Sequence, residues 1–329
     1  MSSPTQMKVL VIGGTLFIGR SLVKELLRAG HEVTVLHRKA GHPLGPGVAN
    51  IAADRNDATA MRQALAGKKF AVVFDNVYDW ERGTEAEQVE AAVRACGDSL
   101  TRYVFMSSVA VYGHGLDHLE SDALVPDDYP QAYARHKAMT ERMLFRLHSQ
   151  EGVPVVTFRP PFVYGPLNPF YREAFFWDRM RVKRPIIIPG DGSRLMHFAY
   201  VKDLVRACVA AMDHPGALGQ AFNIGNRRSV TQIELVRLLA RVAEKRPDLV
   251  PVPRERIEAL GGNPMGDPLY FGFYFDLPPI TEDVAKVERV LGIRPTGFET
   301  GLAETYRWYL RHHDRLKIDC SFEDRLLET

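Results

Sequence analysis

The stretch Lys8-Val9-Leu10-Val11-Ile12-Gly13-Gly14-Thr15-Leu16-Phe17-Ile18-Gly19 decides the fold. Its apolar start reads as a buried strand and its glycines as a tight turn. Arg20 to Arg28, closed by Gly30, reads as a helix. Such a turn lets backbone N–H groups approach a pyrophosphate whose charge the helix N-terminus stabilises, and a Cβ at the closest positions would block that approach. Gly13, Thr15, Leu16, Phe17, Ile18 and Gly19 are the expected cradle. Glycine-rich turns also follow strands that bind nothing, so the loop is read together with the rest of the chain.

From Lys8 to Arg159, apolar β-rich runs alternate with helical patterns, which predicts an α/β fold with a doubly wound parallel sheet. The expected strands are Lys8 to Ile12, Glu32 to Leu36, Ala49 to Ala53, Ala71 to Asp75, Tyr103 to Ser107 and Val155 to Arg159. Beyond Arg159 the alternation loosens into Pro-, Phe- and Trp-containing segments. Helical patterns return over Asp203 to Met212, Thr231 to Val242 and Leu302 to Tyr309. A dinucleotide-binding unit is expected over 7–165 and about 196–227, a smaller C-terminal substrate-binding lobe over 166–195 and about 228–313, and a tail over 314–329.

The 329 residues carry 42 basic and 40 acidic side chains with no polybasic block, so nucleic acid is an unlikely partner. Cys96, Cys208 and Cys320 form no paired motif, which argues against a zinc knot or a disulfide framework and fits a reducing cytoplasm. The polar leader before Met7 has no secretion pattern, and no apolar run is long enough to span a bilayer.

At the end of the second strand, where a carboxylate would bind the ribose hydroxyls of NAD, stand His37, Arg38 and Lys39. Cationic groups there suit a 2′-phosphate, so NADP(H) is expected over NAD(H); ordinary solvated basic residues are the alternative. Asp54 and Arg55 end the third strand, with Asp54 placed to accept from an adenine amino group. Asp75 and Asn76 end the fourth; contact with the cofactor or capping of the next segment accounts for them equally well.

The fifth strand delivers Ser107 and Ser108 to the carboxyl edge of the sheet, where ligands of open parallel sheets bind. Tyr133 and Lys137 lie in a helical segment at a spacing that puts phenol and ammonium on one face. A free tyrosine titrates at about 10, and an adjacent ammonium can lower that by roughly 1 to 3 units, so Lys137 is expected to make Tyr133 a usable acid/base. Ser108 would hydrogen-bond a substrate oxygen. A Tyr-Lys pair at this spacing is common on helix surfaces; its place after the serine strand is what gives it weight.

Gly13 through Gly19, Ser108 through Gly113 and Tyr133 through Lys137 occur in the order and at the distances of the extended short-chain dehydrogenase/reductases, and the chain resembles their epimerase/dehydratase family. The likeness continues through Arg159 to Pro166, Gly190 to Ser193, Tyr200 to Asp203 and Phe222 to Gly225. It implies a Rossmann fold and hydride transfer at a secondary alcohol or carbonyl of a sugar or sugar nucleotide, as a 4-epimerase or ketoreductase. It also implies proton transfer by Ser108, Tyr133 and Lys137, and a homodimer built through two long helices per subunit. Cofactor contacts are implied for Ser107, Pro160 and Phe162, and substrate contacts for Ser108, Val109, Tyr112 and Arg194.

Three features depart from the family pattern. Leu16 takes the place of the usual middle glycine. Val109 and Ala110 replace the acidic pair of the dehydratases, which argues against dehydration. Phe162 replaces an asparagine, and Met196 stands where many members carry an arginine for the substrate diphosphate, with Arg194 two residues earlier. The Gly-Gly-Thr-x-Phe-x-Gly loop also resembles a branch of this family found as chloroplast RNA-binding proteins, so a non-catalytic RNA-binding role is the competing reading. Phe170, Tyr171, Phe175, Phe176 and Trp177 either wall a pocket or form a buried helix. His114, His118, Glu120 and Asp122 lack a ligand spacing, and no metal is expected.

Overall fold

The computed structural model describes residues 6–312 and 318–328. Its central sheet has seven strands: β1 Lys8–Ile12, β2 Glu32–His37, β3 Val48–Ala52, β4 Val72–Asp75, β5 Arg102–Met106, β6 Val155–Arg159 and β7 Gln220–Asn223. They lie in the order β7-β6-β5-β4-β1-β2-β3, all parallel. β1 is the switch point, where the winding reverses and a crevice opens at the carboxyl edge. Six strands match the sequence expectation. The seventh, Gln-Ala-Phe-Asn at the sheet edge, is too short and too polar for periodicity to reveal.

Both faces of the sheet are covered, which is why the strands read as continuous apolar runs. Val9 and Val11 point into one core with Leu22, Val23 and Leu26 of α1 (Phe17–Arg28). Leu10 and Ile12 point into the other, with Met61 of α2 (Ala58–Leu65), Val89 of α3 (Ala86–Cys96) and Leu144 of α4 (Ala132–Glu151). The long helix α4 begins where the Gln131 side chain accepts from the Ala134 amide at 2.9 Å and ends on Gly152 at φ +74°.

A buried ion pair fixes α4 to the sheet: Arg159 of β6 donates from Nε to Glu141 Oε1 at 3.0 Å. The same guanidinium donates to the Tyr112 hydroxyl at 2.8 Å, which in turn donates to Asn223 of β7 at 2.7 Å.

The remaining segments pair locally: Phe198–Tyr200 on Phe162–Tyr164, Leu249–Val252 on Ile186–Pro189, and Leu195–Met196 on Val230–Thr231. Around them pack α5 (Glu173–Arg181), α6 (Val201–Ala210), α7 (Gln232–Val242) and the helix Phe298–His312. Phe175, Phe176 and Trp177 are buried in α5. The aromatic segment is therefore mainly a core helix, and Phe170 alone of the five borders the main cleft.

The tail expected over 314–329 falls partly outside the described residues. Its described part is not inert: helix Ser321–Leu327 buries Phe322 and Leu326, and Arg179 of α5 donates from Nε to Glu323 at 2.6 Å. Among the described residues no helix is long and apolar enough to cross a membrane.

Candidate active site

A cleft of about 770 Å³ runs along the carboxyl edge of the sheet from the glycine turn to Tyr133. Gly13 opens it at φ +81°, a conformation that favours glycine. At Gly19 an added Cβ would stand 2.0 Å from the Gly13 carbonyl oxygen, so the turn closes on the helix only without a side chain there. Leu16 is extended, at φ −125° and ψ 154°, and 70 % exposed. Any residue adopts that conformation, which explains how the loop forms without its usual middle glycine.

Thr15, Phe17 and Ile18 complete this end of the cleft. His37 and Arg38 border it at the end of β2: His37 is held through Nε2 by Asn50 Oδ1 at 2.7 Å, and Arg38 lies 3.8 Å from Asp79 with its side chain 69 % exposed. Asp54 also borders it, its carboxylate taken by Arg82 at 2.8 Å and by the Asn56 amide at 2.9 Å. Arg55 reaches the cleft only with part of its chain, because its guanidinium is buried against Asp75. Asp75 also accepts from the Tyr103 hydroxyl at 2.6 Å, so it belongs to a core network rather than to a cap or a ligand contact.

Asn76 and Ser107 border the cleft with buried side-chain polar atoms that have no partner among the described residues. An approachable turn, cationic groups at the end of β2 and orphaned polar atoms along the floor fit a dinucleotide.

Ser108, Val109, Tyr133, Lys137, Pro160 and Phe162 border the other end. Ser108 is the N-cap of the turn Val109–Tyr112, its Oγ accepting from the Ala110 amide at 3.2 Å. Tyr133 and Lys137 share one face of α4, with Lys137 Nζ 6.0 Å from the Tyr133 ring centroid. The ammonium donates to the Met106 carbonyl at 2.6 Å, at the end of β5. Burial pushes the Lys137 pKa down to about 8, against the attraction of Asp75.

The expected lowering of the Tyr133 pKa by Lys137 is not what the structure shows. Burial raises it, and the largest opposing influences are the Ser108 hydroxyl and then the Arg172 charge. Phenol and ammonium share one low-dielectric site, which disfavours the charged form of each.

Two residues expected at the substrate are elsewhere. Tyr112 is buried in the network with Arg159 and Asn223, and Arg194 donates to Asp276 Oδ1 at 2.9 Å and to the Asp276 carbonyl. In the His114 to Asp122 segment, the ring nitrogens of His118 engage the His114 carbonyl and Asp122, and Glu120 accepts from the Asn223 amide. Among the described residues no cluster of three His, Cys, Asp or Glu could hold a metal.

The sequence reading missed Tyr78, Trp80, Arg172 and Tyr274, all of which border the cleft. Trp80 stacks on Tyr133, and Tyr78 meets the same ring edge-on at 4.8 Å. A tryptophan in the turn-rich loop after β4 was a readable signal, since that loop lies at the carboxyl edge.

Residues 9–225 match the sequence model of the NAD dependent epimerase/dehydratase family. The chain belongs to that family. Proteins similar to it include 2-alkyl-3-oxoalkanoate reductase of Stenotrophomonas maltophilia (strain K279a), 31 % identical, covering 74 % of this chain and 78 % of that one. The chloroplast stem-loop binding protein of 41 kDa b of Arabidopsis thaliana is 29 % identical, covering 99 % of this chain and 86 % of that one. The structure of MoeE5 in complex with UDP-glucuronic acid and NAD superposes with a TM-score of 0.73 at 25 % identity, covering 92 % of this chain and 99 % of that one.

Proposed function

We propose that the protein is a nicotinamide-dependent oxidoreductase that moves a hydride at a secondary alcohol or carbonyl of a sugar or sugar nucleotide, as a 4-epimerase or a ketoreductase. The observation that carries this reading is the convergence of Ser108, Tyr133 and Lys137 on the cleft that begins at the Gly13 turn. When bound, the nicotinamide supplies the hydride donor or acceptor. The Tyr133 hydroxyl gives or takes the proton, and Ser108 hydrogen-bonds the oxygen on which charge develops. Lys137, anchored on the Met106 carbonyl, holds positive charge 6.0 Å from the Tyr133 ring centroid.

The cofactor is NADP(H) in preference to NAD(H), a reading supported by the loosely held Arg38 and by a β2 end without a carboxylate. The names of the reductase and of the UDP-glucuronic acid complex support hydride chemistry at a carbonyl or sugar carbon. A homodimer belongs to the same proposal.

Tyr133→Phe tests it: turnover falls by at least about a hundredfold while cofactor affinity is kept, since a positioned general acid or base contributes about 10² to 10⁴. Near-normal turnover removes Tyr133 from the chemistry. Likeness to the stem-loop binding protein across nearly the whole chain favours RNA binding as the second reading. That reading predicts filter-retained RNA whose affinity falls steeply with salt, and no effect of Tyr133→Phe.

A further inference from the structure

Five side chains that carry or can acquire positive charge border the cleft: His37, Arg38, Arg55, Lys137 and Arg172. The first three lie along the dinucleotide track, with Arg55 already paired with Asp75, and Lys137 is anchored beside Tyr133 on the Met106 carbonyl. Arg172 stands at the substrate end and is built differently. It is 7 % exposed, yet no carboxylate among the described residues forms an ion pair with it. Its Nε donates to the Phe273 carbonyl at 3.2 Å and its Nη1 to the Val163 carbonyl at 3.4 Å.

Aromatic rings surround the guanidinium, Phe170 at 4.5 Å, Phe162 at 5.1 Å and Phe275 at 5.8 Å from centroid to Cζ. Burial lowers its pKa to about 10, which leaves it cationic at neutral pH. The neighbouring Glu173 carboxyl acts on Arg172 through its charge but forms no ion pair with it; burial pushes this carboxyl up to about 7, against the attraction of Arg172, and Asn168 engages it at 3.2 Å.

Two carbonyl bonds, ring faces and a Glu173 carboxyl that is only partly ionised at neutral pH compensate a buried guanidinium incompletely, and a fold keeps such a cation where a ligand completes it. Arg172 packs on Phe162, which borders the same end of the cleft as Tyr133, so a ligand group that completes it lies on the Tyr133 side of the cleft. One guanidinium with no second cation beside it matches one negative charge. A planar carboxylate supplies that, whereas a phosphate dianion would leave charge and oxygens unpaired among aromatic walls. The other nearby arginines, Arg194 and Arg254, are both committed to Asp276.

We propose that Arg172 binds a substrate carboxylate, so that the substrate is an acid whose carboxylate lies close to the carbinol or carbonyl served by Tyr133. This rests on the reading of the cleft as a nicotinamide-dependent site.

Calorimetry on the full-length protein saturated with NADPH tests it, titrating UDP-glucuronic acid against UDP-glucose, and D-glucuronate against D-glucose. In at least one pair the acid binds about 10- to 100-fold more tightly, the range of a charge-assisted hydrogen bond. Arg172→Gln removes that preference and leaves the affinities for the neutral partner and NADPH within about threefold, and Arg172→Lys, which keeps the charge without the fork, retains part of it.

Acetate competes with the bound acid at least as well as inorganic phosphate does. Equal affinities within both pairs, a preference that survives Arg172→Gln, or stronger competition by phosphate overturns the assignment. If Arg172→Gln loses NADPH binding, the preference of the wild type and the acetate-phosphate comparison decide the matter. A wild type that binds neither NADPH nor NADH overturns the proposed function instead, and the same pairs titrated without cofactor still judge Arg172.

Discussion

The indole of Trp80 stacks on the phenol ring of Tyr133, with centroids 4.8 Å apart and planes inclined by 22°, although Trp80 itself is 58 % exposed. An aromatic pair of this kind is worth about 0.5 to 1.5 kcal/mol. Trp80 therefore orients Tyr133, the group proposed to transfer the proton, from the solvent side of the cleft.

Trp80→Ala is expected to lower kcat/KM by about 2- to 12-fold while changing folding stability by less than about 1 kcal/mol. Tryptophan emission gives a second check, since filling the cleft changes the surroundings of Trp80 more than those of the buried Trp177. An emission response to dinucleotide that persists undiminished in Trp80→Ala would contradict this role.

Gly19→Ala places a Cβ 2.0 Å from a backbone oxygen that cannot move without reshaping the turn. We expect dinucleotide affinity to fall at least about tenfold and stability to drop by about 1 to 3 kcal/mol, the usual cost of overpacking. Fluorescence titration and urea unfolding measure the two; unchanged affinity would show that the turn tolerates a side chain.

Lys137 binds its proton less tightly in the folded protein, at about 8, than its ordinary 10.5. Burying the ammonium thus subtracts stability below about pH 8, and the penalty fades as pH rises from there towards 10.5. After allowing for the lost bond to the Met106 carbonyl, Lys137→Met should be more stable than wild type by about 2 kcal/mol at pH 7, with little gain left at pH 10. Denaturant curves at the two pH values test this, and a gain that grows with pH would refute it.

Glu323→Ala removes the carboxylate facing Arg179, both side chains being 4 % exposed. Breaking a buried pair costs about 3 to 5 kcal/mol, because one charge is left uncompensated. The double change Arg179→Met with Glu323→Leu should recover most of the loss. A single mutant within 1 kcal/mol of wild type, about the worth of a surface pair, would show that Arg179 finds another partner.

The parts of this molecule legible in the sequence were those written over short distances. β1, the Gly13 turn and α1 follow one another directly, and Tyr133 and Lys137 meet because a helix repeats. Where a side chain's fate depends on a partner far along the chain, local pattern gave no warning. Arg194 is claimed by Asp276, 82 positions on, and Tyr112 by Arg159 and Asn223. Helical spacing puts Lys137 on the face of Tyr133, but its effect on Tyr133 turns on a burial that spacing does not encode. Arg172 lies hidden in an aromatic run that reads equally as a pocket wall or a buried helix.

The helix Ser321–Leu327 has a consequence for how the protein is made. Arg179 is synthesised 144 residues before Glu323, an interval of roughly 7 to 30 s at 5 to 20 residues per second. All strands of the central sheet have been made by residue 223, well inside that interval. During translation the dinucleotide fold can thus assemble while α5 still lacks its carboxylate. The part of the chain packed around α5 is finished last, and the nascent chain must keep it from sticking elsewhere until then.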